Sequence, residues 1–157
     1  KPAGAVMVSA NFALANSRMQ KVMELPGAAI WGPRLFGRER AFEPASEAHA
    51  ANWTIRYPSS ALFPMFDALK ALRRADLSRI DVPVLFATNP GDKVIDPQAV
   101  RRVMERWGGP AEHYDVHLAP GEGDSSGHLI MGDIFSPGQN APMIERTMTW
   151  ARDRGIA

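Results

Sequence analysis

Three short apolar runs stand out along the chain. Ala5-Val6-Met7-Val8-Ser9 and Val82-Pro83-Val84-Leu85-Phe86-Ala87 are continuous, the pattern of strands buried on both faces of a parallel sheet. Pro83 sits at the start of its run, where a missing N–H is tolerated. The third run, Tyr114-Asp115-Val116-His117-Leu118, alternates, and predicts an edge strand with one wetter face. Between the second and third runs, Val100, Val103, Met104 and Trp107 recur at helical spacing. Asp96 caps this predicted helix, Pro97 suits its first position, and Gly108-Gly109-Pro110 stops it. A last helix is expected over residues 141–154, with Met143, Ile144, Met148, Trp150 and Ala151 available for packing. Strand, helix, strand, helix predicts parallel pairing through right-handed crossovers, an α/β fold of three parallel strands with flanking helices.

The stretch between the first two strands breaks this rhythm. Gly and Pro interrupt it at Pro26-Gly27, Gly32-Pro33, Gly37 and Pro58, and helices are expected over 16–25 and 60–75. Leu62, Phe66, Leu69 and Leu72 fall on one face of the latter. A βα connection is normally a few residues long, so residues 13–78 read as a helical cap inserted into a core made of 1–12 and 79–157. Insertions at the C-terminal edge of a parallel sheet tend to cover a binding crevice.

Composition narrows the classes. The chain has 157 residues, 45% apolar and 22% charged, ordinary for a globular protein and unlike a disordered or collagenous one. With no Cys, disulfides, thiolate metal sites and a cysteine nucleophile are excluded. No apolar run approaches membrane-spanning length. The net charge is +1, but residues 1–78 carry ten Lys/Arg against six Asp/Glu, and residues 79–157 eight against eleven. A basic first half could favour an anionic lipid or substrate, but a solvated surface is the favoured reading. No dense Lys/Arg cluster points to nucleic acid. The N-terminal Lys1-Pro2-Ala3-Gly4 is no signal peptide and reads as a cut through a longer chain; the expected compartment is cytoplasmic.

The polar chemistry collects in two loops. Residues 88–97, Thr-Asn-Pro-Gly-Asp-Lys-Val-Ile-Asp-Pro, follow the second strand; residues 121–133, from Gly121 to Asp133, follow the third and contain His128. Adjacent parallel strands bring such loops together. An acid after one strand and a His after the next is the second half of a Ser, acid, His chain order.

Several segments resemble one family. Ile80 to Phe86 followed by Pro90-Gly91-Asp92-Lys93-Val94-Ile95-Asp96-Pro97 is similar to the acid-bearing seventh strand and loop of α/β-hydrolases. Ser126-Gly127-His128-Leu129-Ile130-Met131-Gly132-Asp133-Ile134-Phe135-Ser136-Pro137 resembles the catalytic-His loop of their lysophospholipase- or esterase-like branch, and Val8-Ser9-Ala10-Asn11-Phe12 the end of the sixth strand. The resemblance spans this chain but only the C-terminal half of the family's fold: a partial α/β-hydrolase. It implies Asp92 as the acid and His128 as the general base of a serine esterase needing no cofactor, acting on a small-molecule ester, lipid-like or otherwise apolar. The nucleophile elbow and the usual oxyanion-hole donors would lie upstream, outside the chain. The rival reading is a non-catalytic binding module that reuses half a hydrolase fold.

Other candidates compete. Asp96 could be the acid, but capping already explains it. Gly123-Asp124-Ser125-Ser126-Gly127 satisfies G-x-S-x-G literally; without a strand-to-helix turn, Ser125 is not expected to be a nucleophile. His128 could be an ordinary surface histidine, but the match of its flanking residues favours the catalytic reading. His113 and His117 would share a strand face, without a third metal ligand at suitable spacing. Glu122, Asp124 and Asp133 do not have the spacing of a Ca²⁺ loop, and Asp133 is expected to hydrogen-bond the His loop. Met7, Met19, Met23, Met65, Trp31 and Trp53 could line an acyl pocket, although core packing is the commoner use. Finally, the resemblance makes Ala5–Ser9 an interior strand with one neighbour missing, so its edge should be covered by an N-terminal half or by a second copy.

Overall fold

The computed structural model describes residues 2–119 and 121–156. The elements are β1 (Ala5–Val8), α1 (Ser17–Met23), α2 (Ala28–Phe36), β2 (Glu39–Ala41), α3 (Glu47–Asn52), β3 (Arg56–Pro58), α4 (Phe63–Arg74), β4 (Val84–Thr88), α5 (Pro97–Met104), β5 (Ala111–Asp115) and α6 (Asn140–Asp153). Among the described residues they form two compact units, one of residues 1–16 and 75–157, the other of residues 17–74.

The first unit is α/β. Its sheet has the order β1-β4-β5 with both pairings parallel. The register places Ala5 opposite Val84 and Val84 opposite Ala111, so the three strands start level. β4 is central, and Val84 through Ala87 are each 0% exposed. Leu85 packs on Trp150 and Ala151 of α6, and Ala87 on Met143 of the same helix. Phe86 points the other way and meets the Trp107 ring edge-on at 5.9 Å, just beyond α5. The helices therefore flank both faces, as strict alternation on a buried strand requires.

Three details depart from the pattern of the sequence. β1 is not buried on both faces: Val6 is 37% exposed, because β1 has no neighbour on its outer edge among the described residues. β5 lies three residues upstream of the alternating run. It starts once Gly108-Gly109-Pro110 has passed residues 78–82, at a closeness where a Cβ on Gly108 would lie 1.9 Å from the Ser78 carbonyl. It ends at Asp115 because β4 ends opposite, at Thr88. Val116 keeps one bond to the Thr88 carbonyl and then turns into the core beside Ile130 and Met143. On α6, Met143, Trp150 and Ala151 are buried as expected, but Ile144 is 59% exposed and Met148 is exposed too. With Val6, Val8 and Met131 they line an open apolar groove of about 360 Å³ along the free edge of β1.

The second unit is a helical insertion between β1 and β4. The expected helices appear as α1 and as a 3-10 turn at Ser59–Leu62 leading into α4. Phe63, Phe66 and Leu69 are buried, with Leu62 and Leu72 half-buried beside them. Gly32 of α2 lies so close to the Phe63 ring that a Cβ would fall 2.9 Å from it. Arg73 of α4 pairs with Glu24 after α1 at 2.6 Å. Of the residues considered for an acyl pocket, Met23 is buried, whereas Met19 and Trp53 are exposed.

Candidate functional site

The loop after β4 is a compact hairpin of hydrogen bonds. Asn89 accepts the Gly91 N–H at 2.8 Å, and the Asp92 N–H donates to the Asn89 carbonyl at 3.1 Å, turning the chain immediately after the strand. The Asp92 carboxylate then points inward with its side chain 0% exposed. Its Oδ1 accepts the N–H groups of Val94 at 2.7 Å and Ile95 at 2.9 Å. Asp96 faces away: it accepts the Gln98 N–H at 2.9 Å as the cap of α5 and pairs with Arg102 at 2.6 Å. The two acids of this loop are thus separated in task, as the capping argument predicts.

The loop after β5 brings His128 to Asp92. His128 Nδ1 lies 2.9 Å from Asp92 Oδ2. With its proton on Nδ1, the imidazole donates to the carboxylate, and Nε2 carries the free lone pair. That nitrogen has no hydrogen-bond partner among the described residues, and the side chain is 25% exposed. Both backbone groups of His128 are held as well. Its N–H donates to Asp124 at 2.9 Å, and its carbonyl accepts the Ser9 hydroxyl at 2.5 Å. Ser9, just after β1, has φ 46, a left-handed conformation unusual for a residue with a side chain.

The two loops are also clasped to each other. Asn89 Nδ2 donates to the Gly127 carbonyl at 3.1 Å, the Lys93 N–H to the Ser126 carbonyl at 2.9 Å, and Lys93 Nζ to the Ser125 carbonyl at 3.1 Å. Gly127 fits this clasp because its φ is +71 and a Cβ would fall 2.6 Å from Asn89 Nδ2.

Ser125 has none of the surroundings of a nucleophile. It lies exposed in a turn closed by the Gly127 N–H on the Asp124 carbonyl at 2.8 Å, with neither a strand before it nor a helix after it. The His loop is not held by Asp133, which instead accepts from Asn140 at 2.6 Å. Asp124 holds it, accepting N–H groups from Ser126, His128 and Leu129 and the Ser126 hydroxyl. Burial opposes its ionisation, but these hydrogen bonds outweigh that cost and hold the carboxyl below its ordinary 3.8. His113 and His117 do not share a strand face, since β5 ends before His117. His113 Nε2 meets the Thr88 hydroxyl at 2.8 Å instead. Burial lowers the pKa of His113 below 6.5; Asp115 partly restores it and Arg101 lowers it further. No group of three or more potential metal ligands occurs among the described residues, and no described helix is long and apolar enough to cross a membrane.

No family model and no curated protein matches the sequence. Its architecture does have a counterpart among solved structures. The chain is similar to a soluble variant of monoglyceride lipase from Saccharomyces cerevisiae, solved with a substrate analog, at a TM-score of 0.59 and 12% identity. The match covers 97% of this chain and 56% of the lipase chain. At that identity the likeness is one of fold. The three parallel strands with their flanking helices and helical insertion are a partial α/β-hydrolase fold.

Proposed function

We propose that the chain supplies the acid and the base of a serine hydrolase acting on carboxylic esters. The observation that carries this reading is the 2.9 Å contact between Asp92 and His128, on loops that follow two adjacent parallel strands. In this reading a serine from polypeptide outside the 157 residues gives its proton to His128 Nε2 as its Oγ attacks the ester carbonyl. His128 passes that proton to the departing alcohol; the same nitrogen then deprotonates a water that attacks the acyl-serine, and returns the proton to the serine Oγ as the carboxylic acid leaves. Asp92 keeps the ring in the tautomer with Nδ1–H and stabilises the imidazolium. No cofactor is needed. An apolar, lipid-like ester is the favoured substrate, in keeping with the monoglyceride lipase likeness.

The strand that completes the site is proposed to pair with the free edge of β1, with a packing partner in the groove lined by Val6, Val8, Ile144 and Met148. An unpaired apolar edge invites such a neighbour, and the similar lipase chain is longer than this one.

The test is hydrolysis of p-nitrophenyl esters and monoacylglycerols by the protein as its gene encodes it, beside the 157-residue chain. The encoded protein is expected to turn over, and His128→Ala or Asp92→Asn to lower kcat by about 10,000-fold. The isolated chain should stay at background. An encoded protein that folds and hydrolyses no ester would favour the rival reading, a non-catalytic binding module.

A further inference from the structure

His128 sits in a segment without regular secondary structure: the described residues from Val116 to Ser136 form no helix or strand. The segment therefore lacks the closely flanking strand and helix that anchor the two ends of the acid loop. A single carboxylate gathers its backbone instead. Asp124 Oδ2 accepts the N–H of His128 at 2.9 Å, the N–H of Leu129 at 3.0 Å and the Ser126 hydroxyl, while Oδ1 accepts the Ser126 N–H at 3.1 Å. The hub is itself anchored. The Asp124 N–H donates to the Ser136 hydroxyl at 3.3 Å, and that hydroxyl donates to the Leu129 carbonyl at 2.5 Å. Ser136 is 2% exposed, so this tie is dry.

We propose that Asp124 is a positioning residue for His128, folding residues 124–129 around its carboxylate so that the imidazole meets Asp92. Asp124 touches no reacting atom, and its part in catalysis rests on the hydrolase reading above. Only a carboxylate suits the place. Four donors converge on its two oxygens, and an amide would turn an NH₂ group against at least one of them.

The experiment is nitrogen-resolved NMR of the 157-residue chain, observing the low-field proton shared by His128 Nδ1 and Asp92. Asp124→Ala and the isosteric Asp124→Asn are expected to broaden that signal away or speed its exchange with water by about tenfold or more. The amide spectrum of β1, β4 and β5 should persist. Glu122→Gln, an exposed carboxyl on the same loop, should leave the signal in place. In the longer protein, Asp124→Asn should lower kcat by roughly 100-fold with KM little changed, the signature of a misplaced base. An unchanged His128 signal in the folded Asn variant would overturn the proposal. So would global unfolding of that variant, which would assign Asp124 to the stability of the whole unit. Loss of the signal without any ester hydrolysis by the encoded protein would leave the positioning standing and remove the hydrolase reading. Hydrolysis that is indifferent to Asp124→Asn, with the signal intact, would do the reverse.

Discussion

The two loops that meet at the site are built on opposite principles. The acid loop is short and strung between regular elements: β4 delivers Asn89, and Asp96 opens α5. Its Asp92 carboxylate also folds it, since Oδ1 accepts the amides of Val94 and Ile95. The His loop is long, irregular and rich in Gly, and the His128 side chain does none of the folding. Asp124 and Ser136 do that instead. One loop is positioned by secondary structure, the other by a side-chain hub. In the proposed hydrolase the difference matters: a base on an irregular loop is only as well aimed as the hydrogen bonds behind it.

The largest effect is expected at Asp92. Asp92→Ala strands the N–H groups of Val94 and of buried Ile95 and removes the His128 partner. It should cost about 3 kcal/mol in urea unfolding, with loss of the low-field His128 signal. The clasp between the loops is the next place to press. Gly127→Ala meets both a left-handed backbone and the Asn89 side chain, and should cost about 2 kcal/mol while loosening His128. Asp96→Ala sharpens the contrast between the two acids. It removes only a helix cap and an exposed ion pair, about 1 kcal/mol, and should leave the His128 signal untouched; loss of that signal would mean the acid had been misassigned. The smallest effect is one of pH. His113 titrates below its ordinary 6.5, so the unfolded chain binds its proton first. Its contribution to stability is present above 6.5 and lost as the pH falls. The urea midpoint should drop between about pH 7.5 and about pH 5, and His113→Gln should flatten that drop.

The contrast between the loops also explains what could be read from the sequence. The acid loop was legible because its signals are local: an apolar run, an Asp-Pro cap and helical spacing through Val100 and Val103. Those signals also mark Asp96 as the cap of α5. The pairing partner of Asp92 was legible through strand order and through the residues around His128. The Asp124 hub was not. Its partners lie two to twelve residues away on an aperiodic loop, and Asp133 looked as suitable from spacing alone. The third strand was misplaced for a related reason. Alternation runs on through Val116 and Leu118, but a strand lasts only as long as its neighbour, and β4 stops at Thr88. The exposure of Val6, Ile144 and Met148 was equally hidden, because an apolar pattern says which faces want burial and not whether a neighbour is present to bury them.

Fluorophosphonate labelling of the encoded protein, with the modified residue mapped by mass spectrometry, tests the central claim most directly. The account predicts one labelled serine, outside the 157 residues, whose labelling is lost in His128→Ala and Asp92→Asn. Labelling of Ser125, or labelling that persists without His128, would contradict it.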